Sequence, residues 1–554
     1  MHSVRPFAAV FISGFFSVLA APAAAQDALD RVEPALRSQD RARDQVTPAP
    51  PASVPVEIED AGTGDTSGSG PVVTVGAIVL VGLDALTPAD FADVLVTRVG
   101  RSLTPADLRA LATAIAHRAQ EKGYALAAAW IEPQRLASGV LSIRVDEGRI
   151  DELRFDGGAD AAVRDALAPL INGKPVRMGD IEGRMLIAGD IDGANIRSSR
   201  FFRENGKGVL LVRVSREHIT ARASVSNEGT RPLGPVQARI DVDINGVLFS
   251  DDSFSLTYSA TPTEMNELGF GRVRYAKRVS VSGTEVAITG TASRARPGAY
   301  LRSLDLESTS WAAGVSILQP LLRRRNANLW FEGELGVRTL DQRRAGLLRR
   351  HDRTATVRAT LYGNLAAGGG RLRFSTTLSQ GLDLLDATAS GDPLASRVDA
   401  DGTFTSLNAW TDWTVPLARQ LSLRLAVQSQ LASQPLLVTE EFGMGGTAFL
   451  RGYDWSERSG DQGVVGLAEL RYMFDRPFGL AQRAQLYAFV DGGKVTNLEN
   501  GFGGGTLASA GGGIRTDLSN RLGANLEIAA PLTGPRYDTG DESPKINFRL
   551  VRAF

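Results

Sequence analysis

The sequence predicts a transmembrane β-barrel of about sixteen antiparallel strands, preceded by two small α/β units and by an N-terminal helix plus linker. Three observations predict it. From Glu217 onward, helical periodicity gives way to alternation of apolar and polar residues. The alternating segments run about 9–11 residues, the length a tilted strand needs to cross a bilayer. Sixteen such segments can be counted, an even number of the kind bacterial barrels show. Hydrophobic residues make up 43 % of the chain, yet mean hydropathy is only −0.08. That excludes a polytopic helical membrane protein and suits strands that hide their apolar half by alternation.

The N-terminus carries an export address. Arg5 supplies a positive region, Phe7 to Ala20 is apolar, and "APAAAQ" closes it with small residues. Residues 1–25 therefore read as a signal peptide, with the mature chain starting near Gln26. Residues 26–45 are charged and helix-prone, with Leu29, Val32 and Leu36 on one face. Pro34 interrupts that pattern and fits best in the first turn of a helix starting near Glu33. Residues 46–71, rich in Pro, Gly and Ser, cannot bury a core and read as a linker.

Residues 72–147 form the first α/β unit. "VVTVGAIVLVG" is a strand. "TPADLRALATAIAHRAQEKGY" is a helix with Thr104 as N-cap, Pro105 in its first position and Gly123 at its end. Leu108, Leu111, Ala112, Ile115 and Ala119 make its buried stripe. "ALAAAWIEP" and "GVLSIRVDEG" complete a β-α-α-β-β order. The order repeats over residues 148–216, from "GRIDELRFDG" to the hairpin "ANIRSSRFFRE" and "GKGVLLVRVSRE". Two tandem copies of this unit resemble POTRA domains, the periplasmic modules of outer-membrane assembly and secretion pores.

Residues 217–554 supply the barrel. In "RLGANLEIAA", Leu522, Ala524, Leu526, Ile528 and Ala530 share one face, and Arg521, Gly523, Asn525 and Glu527 the other. "QLSLRLAVQSQL" sets Leu421, Leu423, Leu425 and Val427 against Ser422, Arg424, Gln428 and Gln430. Lipid cannot satisfy an open sheet edge, so the strands must close. The last segment, "KINFRLVRAF", ends on Phe554 and resembles the C-terminal signal of outer-membrane barrels.

One loop stands apart. Between the eleventh and twelfth segments lie about 30 residues, long for a hairpin connection. They include Phe442, Met444, Phe449, Leu450, Tyr453 and Trp455. Apolar residues in such number must pack, and the lumen is the place. Arg451 at the loop tip then needs a partner, because an unpaired guanidinium with restricted hydration is costly. In "YAFVDGGKV", Phe489, Asp491 and Gly493 alternate with Ala488 and Val490, which take the lipid side. Asp491 faces the lumen and is expected to pair bidentately with Arg451.

"LRGY" at 450–453 with "FVDGG" at 489–493 resembles the paired signature of two-partner secretion transporters, the TpsB family. Leu450 stands where valine is commoner. The resemblance implies that Arg451 and Asp491 lock the loop to the wall, framed by Leu450, Gly452, Tyr453, Phe489 and Gly493. It also implies an outer-membrane pore, with POTRA domains in the periplasm, that exports a large exoprotein bearing an N-terminal secretion domain without ATP. The helical segment would be a removable plug. The barrel assembly machinery would insert the chain into outer-membrane lipid. An assembly factor of the same superfamily and a diffusion porin are the alternatives; two POTRA copies after a Pro-rich linker favour secretion.

Composition excludes other classes. With no cysteine, zinc–thiolate and disulfide frameworks are absent. A net charge of −1 with scattered Lys and Arg gives no footprint for nucleic acid. The four histidines are scattered, so no metal, cofactor or catalytic set is expected. "DVDINGVLFSDD" imitates the start of a calcium loop, but its flanks alternate as strands, and it reads as a strand end and turn.

Overall fold

The computed structural model describes residues 56–58, 72–135, 139–157 and 160–554. The expected signal peptide, the 26–45 helix with Pro34 and most of the 46–71 linker lie outside these residues.

In the first α/β unit, Ala77–Val81 runs parallel to Val140–Asp146, which pairs antiparallel with Ala128–Trp130. A separate ladder joins Val73–Val75 to Arg101–Leu103. The helix Pro105–Glu121 starts at Thr104, whose hydroxyl accepts from the Asp107 amide while the Asp107 carboxylate accepts from the Thr104 amide. This reciprocal cap satisfies two backbone donors that the first turn leaves open. The buried stripe is Leu111, Ala112, Ile115 and Ala119, with Leu108 partly covered, and it packs on Leu141 and Ile143. Truncating one of the fully buried Leu or Ile side chains to Ala would cost about 2–5 kcal/mol.

The second unit holds helices Ala161–Leu167 and Met178–Gly189 against a four-stranded sheet. Its spatial order is Val56–Ile58, Ala194–Glu204, Lys207–Arg216, Glu152–Asp156. The first of these strands comes from the segment expected to be a linker without structure. It pairs parallel with Ser199–Phe201 and covers the edge that strand would otherwise expose. "VEI" is a short β-favouring run amid Pro and Gly, too brief for periodicity to reveal.

Sixteen strands between Ile219 and Ala553 close into one barrel in chain order, each antiparallel to its neighbours. Closure joins Arg222–Ser226 of the first strand to Arg549–Ala553 of the last. Side chains alternate as expected. On Leu522–Pro531, Leu526 and Ile528 are exposed outward while Glu527 and Ala529 are buried. The sixth to eighth strands, Leu306–Arg323, Ala327–Arg344 and Leu347–Ala367, are 18, 18 and 21 residues long, beyond what a bilayer crossing requires. The calcium-like stretch is a turn in which the Asp252 carboxylate caps the amides of Val247, Leu248 and Phe249.

The second α/β unit is fastened to the near rim of the barrel. Arg323 Nη2 donates to Asp190 at 2.5 Å, and the Arg323 guanidinium lies 4.5 Å from the Trp330 ring centre. Arg278 donates to the carbonyl of Ile187 at 2.9 Å, and Arg184 to that of Val281 at 2.9 Å.

Candidate functional site

The eleventh barrel strand, Leu421–Ala432, runs away from the α/β units, so the loop that follows begins at the far rim. It returns into the lumen before the twelfth strand, Gln462–Asp475. Its two arms pair as a short hairpin, Phe442–Met444 with Arg458–Gly460. Phe449, Leu450 and Tyr453 bury themselves against Trp410, Val465, Leu467, Tyr487 and Phe489 of the wall. Each large apolar side chain so covered contributes about 1.5–3 kcal/mol. That burial offsets a local cost: Leu450 has φ +58°, a left-handed backbone that disfavours side-chain-bearing L-residues by about 1–2 kcal/mol.

The turn at Leu450 aims Arg451 at the thirteenth strand, Arg483–Thr496. Gly452 then passes against the fifteenth strand so closely that a Cβ there would lie 2.8 Å from the Ala530 carbonyl carbon. Its amide donates to Ser509 at 3.1 Å. The Tyr453 hydroxyl sits 3.0 Å from that of Thr533 and donates to the Gly534 carbonyl at 3.2 Å.

Arg451 and Asp491 do meet, but not bidentately. Both the Arg451 amide (3.3 Å) and its Nε (3.4 Å) donate to one oxygen, Asp491 Oδ2. The other carboxylate oxygen accepts from the Ser509 hydroxyl. Arg451 Nη1 makes the shorter contacts, 2.8 Å to Glu469 and 3.0 Å to Glu527. The planar group lies over Phe489, 3.3 Å from the ring centre, where the ring quadrupole favours a cation. Glu469 also accepts from Arg471 Nε at 2.6 Å and Arg515 Nη1 at 2.9 Å. The Tyr487 hydroxyl donates to Glu527 at 2.9 Å. Three arginines (451, 471, 515) thus face three carboxylates (469, 491, 527), and the formal charges cancel. Cancellation matters here, since an uncompensated buried charge is strongly destabilising.

Of the residues expected at the site, Leu450, Arg451, Gly452, Tyr453, Phe489 and Asp491 are brought together. Gly493 lies farther along the wall, where a Cβ would stand 2.5 Å from the Val465 side chain. Phe554 is remote, exposed at the near end of the last strand, its amide donating to Ala221 at 2.9 Å. Glu469, Glu527, Ser509 and Arg515 were not expected. Register carries the missing signal: Glu469 is opposite Phe489, Asp491 opposite Ser509, and Glu527 opposite Gly513. No group of His, Cys, Asp and Glu suited to a metal ion occurs among the described residues.

The family profile described as haemolysin secretion/activation protein ShlB/FhaC/HecB matches residues 206–516, and a ShlB-type POTRA domain matches residues 73–148. The outer membrane transporter CdiB of Escherichia coli is 24 % identical over 96 % of the chain and 87 % of its own length. The heme/hemopexin transporter protein HuxB of Haemophilus influenzae is 20 % identical over 80 % of both chains. The solved structure of CdiB from Escherichia coli superposes with TM-score 0.72 at 21 % identity, covering 96 % of this chain and all of that one.

Proposed function

The chain belongs to the haemolysin secretion/activation family ShlB/FhaC/HecB, and on that footing we propose that its lumen-filling loop is the element a departing client must move. The protein is an outer-membrane transporter with POTRA domains in the periplasm, and it translocates a partner exoprotein to the cell surface. The far rim of the barrel is therefore extracellular.

The client is a large exoprotein with an N-terminal secretion domain. It meets the POTRA units at 72–147 and 148–216 in extended form and adds to a sheet by β-augmentation. One edge of the second sheet is already taken by Val56–Ile58, so a client strand adding there must displace it. The opposite edge, Glu152–Asp156, pairs with no further strand among the described residues and is the other choice. The 26–45 segment serves as plug on its 46–71 linker, and the strand ending at Phe554 addresses the chain to the barrel assembly machinery and outer-membrane lipid. No cofactor takes part.

One observation supports the loop's role above the others. Arg451 is buried in a charge-balanced seat supplied by the twelfth, thirteenth and fifteenth strands, so the loop has one well-defined docked position. Asp491→Ala should leave the barrel inserted while lowering secretion of the client encoded with the transporter. Normal export by that variant would remove the role from the pair.

A further inference from the structure

The same loop is held a second time, at its root. Glu440 lies on the arm that enters the lumen, ahead of the hairpin. Arg358 is on the eighth strand, on the other side of the lumen from the seat of Arg451. Arg358 Nη2 donates to both oxygens of Glu440 at 3.0 Å, and Nη1 donates to Ser379 at 3.0 Å. The two side chains are 4 % and 5 % exposed. The neighbouring backbone is fixed as well: Gln430 Nε2 donates to the Glu440 carbonyl at 3.0 Å, and Arg338 Nη1 to that of Thr439 at 3.4 Å.

We propose that the loop is a crossbar clamped at both ends, and that Arg358 with Glu440 is its second clamp, a pair of positioning residues for translocation. This rests on the reading that the loop moves during export. The polarity is opposite at the two ends. At the tip the loop offers an arginine to wall carboxylates; at the root it offers a carboxylate to a wall arginine. Gly445 (φ +110°) and Gly446 (φ +100°) lie between the clamps. They let the chain reverse where side chains would not fit, since a Cβ on Gly445 would stand 2.1 Å from the Asp454 carbonyl. Releasing one end leaves the bar tethered by the other, so the lumen clears only when both let go. A client arriving from the periplasm must therefore weaken both clamps, together with the flanking pairs of Asp454 with Lys545 and of Glu441 with Arg397.

Single-channel recording in planar bilayers tests this with four chains: unaltered, Asp491→Asn, Glu440→Gln, and both together, each checked for a folded barrel by heat-modifiable migration. Each single variant should open modestly more often. The double variant should exceed the product of the two singles by roughly tenfold or more, a factor worth ~1.4 kcal/mol. A double variant indistinguishable from Asp491→Asn alone would overturn the second clamp. If Glu440→Gln opens the pore and Asp491→Asn does not, the second clamp stands and the role proposed for the tip falls. A chain carrying Arg358→Gln with Glu440→Gln separates a clamp from a stranded charge. It should open as Glu440→Gln does; a return to unaltered behaviour would overturn the proposal. Should Glu440→Gln fail to assemble, Arg358→Lys, which keeps the charge and loses the planar fork, should give intermediate opening, and unaltered gating there would count against the clamp.

Discussion

Arg451 Nη1 stands 2.8 Å from Glu469, nearer than any approach of its side chain to Asp491. Glu469 is also shared by Arg471 and Arg515. Removing its charge leaves Arg451 two carboxylates but strands Arg471 and Arg515, whereas removing that of Asp491 leaves Arg451 two carboxylates and strands no other guanidinium. Glu469→Gln should therefore loosen the loop more than Asp491→Asn. The loss should approach the about 3–5 kcal/mol typical of a broken buried pair, lowered by whatever lumen water reaches the site. Protease cleavage within 433–461 on intact cells reads the difference. Equal protection in the two variants would show that Glu469 holds the loop no more firmly than Asp491.

Gly452→Ala should disturb docking without touching a charge. The added Cβ would press on the backbone of Ala530 and Pro531 at 2.8 Å, and a barrel strand does not yield as a side-chain tip would. Overpacking of this kind costs about 1–3 kcal/mol. The tip should lift from the fifteenth strand, breaking the bond from Gly452 to Ser509 and those of the Tyr453 hydroxyl. The expected readout is greater accessibility of a cysteine placed at Ala448, partly buried against the same cluster, measured against a chain with no native thiol. Unchanged labelling would mean that the backbone gives way.

The barrel was legible because alternation is a strong signal over sixteen segments, and each expected segment has its strand in the closed sheet. Strand length was less so: the tall sixth to eighth strands continue above the bilayer through Arg- and Asp-rich sequence that does not alternate, as at Arg343 and Arg349. Arg451 and Asp491 were findable because a loop charge with apolar neighbours calls for a lumen-facing partner. Glu469 and Glu527 were not, because lumen-facing carboxylates are common in a wet pore. Only register across three hairpins selects these two. Arg358 and Glu440 are 82 residues apart, and no local pattern joins them.

The α/β unit next to the barrel is oriented by a buried cation, and the prediction concerns its freedom. Arg323 is 3 % exposed and holds Asp190 at 2.5 Å while stacking on Trp330. Arg323→Ala removes the pair and the stack together. The backbone contacts from Arg278 and Arg184 remain, as do the bonds from Ser253 to Asp192 and from Arg216 to the Ser250 carbonyl, so the unit should stay attached but sample a wider range of angles. Spin labels on engineered cysteines at Lys174 and Ser422 should give a broadened distance distribution. A distribution as narrow as that of the unaltered chain would assign the orientation to the remaining contacts and not to Arg323.

A pH response is expected in the first periplasmic unit. Asp90 accepts from the Thr87 amide at 2.9 Å, from Lys122 Nζ at 2.9 Å and from the Thr87 hydroxyl at 2.9 Å. These bonds, the Thr87 amide foremost, favour the carboxylate and lower its pKa to about 2. The sign follows from linkage: the unfolded chain binds this proton near the ordinary value of 3.8, the folded one only near 2. The stabilising contribution is thus complete above about pH 4 and disappears as the pH falls toward 2. Amide protection at Thr87 and over Pro88–Phe91, the turn that Asp90 caps, should drop through that window, and Asp90→Asn should abolish the dependence because the amide neither titrates nor attracts Lys122. Persistence of the same slope in the variant would trace it to Asp107, whose carboxyl is likewise held below its usual range by Thr104, its hydroxyl first and then its amide.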